Sequence, residues 1–289
     1  RDMQAVNADG SAAWSVPMHQ PIYVKGYKIR GVVLNNPGDM LDSTPNYMEG
    51  PMWALGGQWQ VFIQWIDNPD IGYDDDDFGG AALWMGQNYG NHVWHYPDWT
   101  YSYSNADWQS EVDRVGLAGT LQAGDLIEVH ARGGLSYNGK FNVNEQHDND
   151  PLLDFDVIWL DHAGLPTPAP ITLDLIKNPD DTFKFDADRT LPTNPEHYQA
   201  TLVELLGVSL VDDTGWGNNA SLTVTDGSGL TLALKLGING FDGVAAPLPG
   251  VPFDVVGIFD QEGDYRLWVM DAGQFSDAAV PEPAGATLA

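Results

Sequence analysis

Four consecutive carboxylates, Asp74-Asp75-Asp76-Asp77, follow closely on Asp67-Asn68-Pro69-Asp70. Calcium takes about six to eight oxygen ligands from carboxylates, amides and backbone carbonyls, and a Gly- and Asp-rich loop supplies them. No EF-hand spacing is present, so the pattern is compositional; a solvated loop tip whose charge keeps neighbouring molecules apart accounts for it too. A second acidic group is Glu145, His147, Asp148, Asn149, Asp150, Asp154 and Asp156. Asp154 and Asp156 alternate, so on a strand they share one face and bring two carboxylates toward a cation held between strand and loop. The plainer reading is a polar, exposed edge. Asp212, Asp213, Asn218 and Asn219, and likewise Asp260, Glu262 and Asp264, read as turns. His92 and His95 stand three apart, a zinc spacing only on a helix, and Asn91-His92-Val93-Trp94-His95-Tyr96-Pro97 reads as loop.

Aromatic residues crowd the same half: Trp84, Tyr89, Trp94, Tyr96, Trp99, Tyr101, Tyr103 and Trp108. Such rings stack on sugars and anchor protein interfaces, because they present large apolar area with little rotamer entropy to lose. Trp84, Trp94, Tyr96, Trp99, Tyr101 and Trp108 are the candidates for a carbohydrate or interface contact, with packing of an irregular insertion as the alternative. No GxSxG, HExxH, P-loop or dinucleotide fingerprint occurs. With 41 acidic residues, any pair of carboxylates spaced for glycoside hydrolysis is expected by chance. The reading is therefore non-enzymatic.

Composition narrows the partners. Twelve basic side chains against 41 acidic ones leave a formal charge of −29. Nucleic acid and anionic lipid bind through clustered Lys and Arg, so this balance argues against both and favours cations. Cys is absent, which removes disulfides, thiolate metal sites and thiol nucleophiles. No apolar run reaches the roughly 18 residues of a membrane-spanning helix. At 43% apolar residues, with 11 Trp, 11 Tyr and 10 Phe, the chain has ample material for a core.

Short apolar runs separated by Gly, Asn, Asp and Pro predict an all-β protein. Strands are expected at Tyr27–Leu34, Gln58–Ile66, Gly80–Met85, Leu126–Ala131, Phe155–Leu160, Ala200–Leu210, Ser221–Thr225, Leu230–Leu236, Phe253–Phe259 and Tyr265–Met270, and one helix near Asn105–Val115. The halves repeat: Ala82-Leu83-Trp84-Met85-Gly86 matches Ala233-Leu234-Lys235-Leu236-Gly237, and Val157-Ile158-Trp159-Leu160-Asp161 matches Leu267-Trp268-Val269-Met270-Asp271. Gly124–Val129 and Pro252–Ile258 lie between these landmarks. Five strands with a long connection after the third give two OB-fold-like Greek-key barrels in tandem, the first with a large insertion. The expected layout is an N-terminal arm over 1–20, barrels over 21–162 and 197–277, and a tail over 278–289. Residues 163–196 form a proline-rich linker and a short hairpin, Ile171–Lys177 with Thr182–Asp186, around Asn178-Pro179-Asp180-Asp181.

In this layout the pair of halves resembles secreted tandem OB-fold proteins of Gram-negative bacteria. Val280-Pro281-Glu282-Pro283 is similar to the opening of the PEP-CTERM sorting signal of exported proteins. The resemblance implies export to the cell surface or medium, processing of the tail, and, by likeness to subunits of extracellular fibres, assembly. The expectation is a self-assembling subunit of a calcium-stabilised fibre or biofilm matrix, copies joined head to tail, with exopolysaccharide as a further partner. The alternative is a surface carbohydrate-binding module using the aromatic face.

Overall fold

A computed structural model describes residues 7, 27–40, 59–66, 79–85, 121–131, 134–144, 155–186, 188 and 190–278. It is all-β, with two seven-stranded sheets. The first holds β1 (Tyr27–Val33), β2 (Trp59–Gln64), β3 (Gly80–Met85), β4 (Asp125–Ala131), β5 (Leu135–Tyr137), β6 (Lys140–Asn144) and β7 (Asp156–His162). The second holds β8 (Ala169–Ile171), β9 (Thr201–Leu210), β10 (Ser221–Thr225), β11 (Thr231–Leu236), β12 (Phe253–Glu262), β13 (Asp264–Val269) and β14 (Phe275–Asp277).

Strand order identifies each sheet as an OB-type barrel. In the second, β9, β10 and β11 form an antiparallel meander, β11 runs parallel to β13, β13 pairs with β12, and β12 returns to β9. That closes a five-stranded Greek-key ring. In the first, β1, β2 and β3 make the meander, β3 runs parallel to β6, β6 pairs with β5, and β4 pairs with β1. There β4 and β5, three residues apart, share the work that β12 does alone. The long connections after the third strands are residues 86–124 and 237–252.

The repeat at Ala82 and Ala233 falls in register, since β3 and β11 are the third strands of their barrels. The second proposed match does not hold. Val157–Asp161 lies in β7, which pairs with β4 as β14 pairs with the start of β12; the counterpart of β13 is β6. A short apolar run ending in Asp is common to both kinds of strand, so composition alone could not separate them. The hairpin expected after the linker also differs. Ala169–Ile171 joins the second sheet alongside β9, and Leu173–Ile176 is one helical turn, α1, with Leu173 and Ile176 buried. Those two residues stand three apart, a helical rather than a strand spacing. Only an isolated bridge, Lys177 to Phe183, remains of the hairpin.

Alternation on the strands shows where the barrels meet. Val61 and Ile63, Ala81 and Leu83, and Phe141 and Val143 point into the first core. Val255 and Phe259 with Tyr265, Leu267 and Val269 point into the second. The opposite faces should be polar if they met water, yet Phe62, Ala82, Leu202 and Ile258 are buried together with Leu34 and Ala200, and Trp268 and Met270 pack on them. This third cluster is the junction between barrels. Close approach of the two backbones needs glycine at two places. A Cβ on Gly80 would lie 2.1 Å from the Ala200 carbonyl oxygen, and one on Gly139 would lie 2.3 Å from the Gln261 side chain.

An ion-pair network is buried in the same junction. Lys140 Nζ on β6 donates to Asp260 Oδ1 on β12 at 2.9 Å and to Glu262 Oε2 at 3.2 Å. Arg266 donates from Nε to Asp260 Oδ2 at 2.8 Å. Lys140 and Asp260 are 1% and 0% exposed, so neither charge has water to fall back on. The segment Asp260 to Asp264 is the hairpin the sequence suggested, with Gly263 at its turn. Further hydrogen bonds cross the junction: Gly263 N–H donates to the Asn138 carbonyl, Gly80 N–H to the Gln199 carbonyl, and Leu202 N–H to Gln64 Oε1.

Burial pushes the Asp260 carboxyl up, but Lys140 and Arg266 outweigh it and hold it below the usual carboxylate range. Removing Lys140 leaves the buried Asp260 with Arg266 of its own barrel and takes away the charge that crosses the junction. Lys140→Ala is expected to cost about 2–3 kcal/mol, the size of a buried hydrogen bond between charged groups, read as a fall in the urea midpoint at pH 7. A loss under about 1 kcal/mol, the size of an exposed pair, would show that the junction does not rest on it.

Candidate functional site

Two strands of the second barrel present a flat polar face. Along β10 and β11, Leu222, Val224, Leu232, Leu234 and Leu236 turn inward to the core. Their neighbours turn outward, and the outward residues are mostly small: Ser221, Thr223 and Thr225 on β10; Thr231, Ala233 and Lys235 on β11. Across the pair, Thr223 stands opposite Ala233 and Thr225 opposite Thr231. With so little side chain above it, the sheet surface forms the floor of a depression.

Its walls come from other elements. After α1, the turn Asn178–Thr182 folds down onto the start of β11 and is held there by Asp181. Asp181 Oδ1 accepts from the Thr231 N–H at 2.8 Å and from Lys177 Nζ at 2.6 Å, and Oδ2 accepts from the Thr231 hydroxyl at 2.7 Å. Lys177 Nζ also donates to the Thr231 carbonyl and sits 4.6 Å from the centre of the Phe183 ring. Asp181 takes a left-handed backbone, φ 65°, which Asp tolerates better than bulky residues but which still has to be compensated. The opposite wall is the β12–β13 turn with Gln261, Gly263 and Asp264. Between them lies a cleft of about 730 Å³.

Electrostatically the cleft is self-contained. Burial pushes the Asp181 carboxyl up, but hydrogen bonds from Lys177 and Thr231 win and bring it down to about 2. It stays ionised at neutral pH and spends its charge on Lys177. Behind the cleft Tyr265, buried, donates its hydroxyl to the buried Glu196 and packs edge-on against Phe183 at 4.9 Å. No activated nucleophile faces this space among its lining residues. The arrangement is suited to holding a ligand.

The candidates drawn from sequence fall elsewhere. Asp67, Asp70, Asp74, Asp75, Asp76, Asp77, Glu145, Asp148, Asp150 and Asp154 lie outside the described residues. So do His92, His95, Trp94, Tyr96, Trp99, Tyr101, Trp108 and the stretch Asn105–Val115. Asp156 opens β7, exposed and opposite His130. The nearby Glu128 carboxylate accepts from Lys28 at 3.0 Å and also bonds Arg30 and His130, which leaves it committed within its own sheet. Trp84 is half-buried on β3, opposite Gln60. Among the described residues no group of three or more His, Asp or Glu side chains is placed to hold a metal ion. Asp212 closes its own turn by accepting from the Thr214 N–H and hydroxyl, and Asn218 bonds Asp242.

The cleft was missed because the sequence reading sought density of aromatic or acidic residues. Its signal is sparser: Ser221-Leu222-Thr223-Val224-Thr225 and Thr231-Leu232-Ala233-Leu234, two strands whose outward positions are small and hydroxylated.

Comparison with known proteins adds little. No family model matches the chain, and no curated protein matches it. Among solved structures it is similar to a deletion mutant of the single-stranded DNA binding protein from Thermus aquaticus, at 10% identity over 90% of this chain and 97% of that one, with a TM-score of 0.21. A likeness at that score carries no argument, and strand order alone supports the barrel assignment. No helix among the described residues is long and apolar enough to cross a membrane.

Asp181→Asn tests the clamp. With its carboxyl lowered in the folded state, Asp181 stabilises fully above the ordinary carboxylate range, and that contribution is lost as pH falls toward about 2. The variant is expected to be less stable by about 1 kcal/mol at pH 6, discounted for partial exposure, with the gap closing in urea titrations as the buffer nears pH 2. A gap that stays constant with pH would remove the ionised clamp.

Proposed function

We propose that the chain is a non-enzymatic, secreted structural protein, a subunit that assembles with copies of itself into a calcium-stabilised extracellular fibre or matrix. The observation that carries this reading is β7. Among the described residues it is the terminal strand of its sheet, paired with β4, and it exposes Ile158 (40%), Trp159 (56%) and Leu160 (38%). An apolar edge strand is a template for another chain unless something blunts it. Part of it is blunted: one extra residue, Leu160, bulges from β7 between the pairings of Trp159 and Asp161. The stretch left open to pairing is therefore short, Asp156 to Trp159.

A second apolar surface supports a head-to-tail arrangement. Val211, Leu248 and Val251 are each more than half exposed and sit where β9 ends, with Gly250 N–H bonded to the Leu210 carbonyl. The ten residues of β9 span about 30 Å from its junction end at Thr201, so this patch is distal to the first barrel. Two different apolar surfaces on one firmly joined pair of barrels make a heterologous contact, which propagates when the rotation does not close. At −29 per subunit, close packing of copies requires counterions, and calcium on the Asp67–Asp77 and Glu145–Asp156 carboxylates meets that need. Export and the extracellular location rest on the Val280–Pro283 resemblance.

Electron microscopy and sedimentation of the purified chain, with millimolar calcium and then with chelator, test the reading. Filaments or large species that disperse on chelation, and that Trp159→Glu abolishes, are the expected result. A monodisperse monomer under both conditions contradicts it.

A further inference from the structure

We propose that Lys140 and Asp260 condense, without any external reagent, to an isopeptide bond: an amide between Lys140 Nζ and Asp260 Cγ that joins the two barrels covalently. The proposal concerns the junction and is independent of assembly and of calcium.

Three features of the buried network favour condensation over a permanent ion pair. The first is proximity. Nζ is held 2.9 Å from Asp260 Oδ1, one bond from the carboxyl carbon, by strands of two separate barrels. Groups fixed at such range react as if at very high concentration, because folding has already met the entropy of bringing them together. The second is dryness. In water, amines and acids stay ionised rather than condense because water solvates both ions. Here the side chains of Lys140 and Asp260 are 2% and 0% exposed, and the Phe62 ring lies 5.5 Å from Nζ, so that solvation is missing.

The third feature is where the other two charged groups stand. Arg266 places Nε 2.8 Å and Nη2 2.7 Å from Asp260 Oδ2, while Lys140 bonds Oδ1. Two N–H donors on one oxygen suit a tetrahedral intermediate, whose negative charge gathers there. The guanidinium lies 4.5 Å from the centre of the Trp268 ring, which helps to hold it in place. Glu262 Oε2 lies 3.2 Å from the same Nζ, and Glu262 Oε1 accepts from Asn138 at 3.3 Å. One oxygen of Glu262 is thus anchored and the other meets the amine.

The step balances within the site. A proton moves from the ammonium to Oδ1 along their hydrogen bond, giving an amine and a carboxylic acid. Lys140 and Arg266 hold Asp260 ionised, so this transfer is uphill and closure is slow relative to folding. The Nζ lone pair then adds to Cγ, the C=O electron pair moves onto Oδ2, and Arg266 holds that oxyanion. Glu262 accepts a proton from the nitrogen and delivers it to the Oδ1 hydroxyl. The carbonyl re-forms at Oδ2, the Cγ–Oδ1 bond breaks, and water leaves past Glu262, whose side chain is 33% exposed. One ammonium and one carboxylate are consumed, one water is released, and Glu262 ends as it began. The remaining charges, Arg266 and Glu262, lie 3.3 Å apart and pair with each other. The ion pair therefore orients the barrels first, and closure makes that orientation permanent. The bond ties positions 120 residues apart, so it also restricts the unfolded chain and adds stability beyond that of the open pair.

The test is intact-mass spectrometry of the full chain under denaturing conditions, followed at intervals after purification at neutral pH. No Cys is present, so no disulfide contributes a link. The expected result is a chain lighter by one water, with a branched tryptic peptide that joins Lys140 to the peptide ending at Arg266. Lys140→Arg keeps the charge but offers a guanidinium that does not acylate, and is expected to hold its full mass. Glu262→Gln is expected to close about a hundredfold more slowly or worse. An unaltered chain that keeps its full mass throughout, a water lost from Lys140→Arg as well, or closure at an unchanged rate in Glu262→Gln would each overturn the proposal. The branched peptide is sequenced from the unaltered protein, so the outcome does not hang on either variant folding. Mass is read on denatured single chains, which keeps this result separate from filament formation.

Discussion

The buried pair of Lys140 and Asp260 is the constraint on which the rest of the architecture depends. Each charge comes from a different barrel, and neither has water around it. Burying either charge without the other would cost several kcal/mol after relaxation, most for Lys140, since Asp260 keeps Arg266 of its own barrel. Together they neutralise each other and fix the register of one hairpin on the other barrel, which apolar contacts such as Phe62 against Trp268 would not specify on their own. An apolar junction of the same size could be as stable; the ion pair adds orientation. In a chain with 12 basic residues, placing Lys140 and Arg266 on one acidic hairpin is a notable concentration of them.

The proposed assembly depends on that fixed orientation. A flexible tandem would place its two exposed apolar surfaces, β7 and the Val211–Val251 patch, at random relative angles, and no regular polymer could grow from it. A single rigid unit gives every copy the same geometry. The cleft over β10 and β11 shares the hairpin as well: Gln261 lines the cleft on one side and accepts from Gln199 in the junction on the other. One wall of the cleft and the junction are therefore built by the same hairpin, β12–β13.

Much of the fold was legible from sequence. Alternation in Thr231–Leu236 and Ser221–Thr225, and the Ala82 and Ala233 correspondence, depend on local pattern and survive unchanged. Lys140-Phe141-Asn142-Val143-Asn144 was not recognised as a strand because its outward residues, Lys and Asn, look like loop. Lys140 and Asn142 are buried although they face away from their own core, with Lys140 bonded to the other barrel, and no single-strand pattern encodes a partner so far along the chain. The same cause hid Asp260. A carboxylate before a tight turn reads as solvent-exposed, and its burial follows from a lysine 120 residues earlier. The cleft escaped for a different reason, since small outward residues mark space, and space has no letter in a sequence.

The central claim is that the barrels move as one body because a buried ion pair locks them. Backbone N–H residual dipolar couplings of the full chain in dilute alignment medium address it most directly. Couplings from both barrels should fit a single alignment tensor at neutral pH, and Lys140→Ala should split them into two of different magnitude. Two unequal tensors in the unaltered protein would contradict the account.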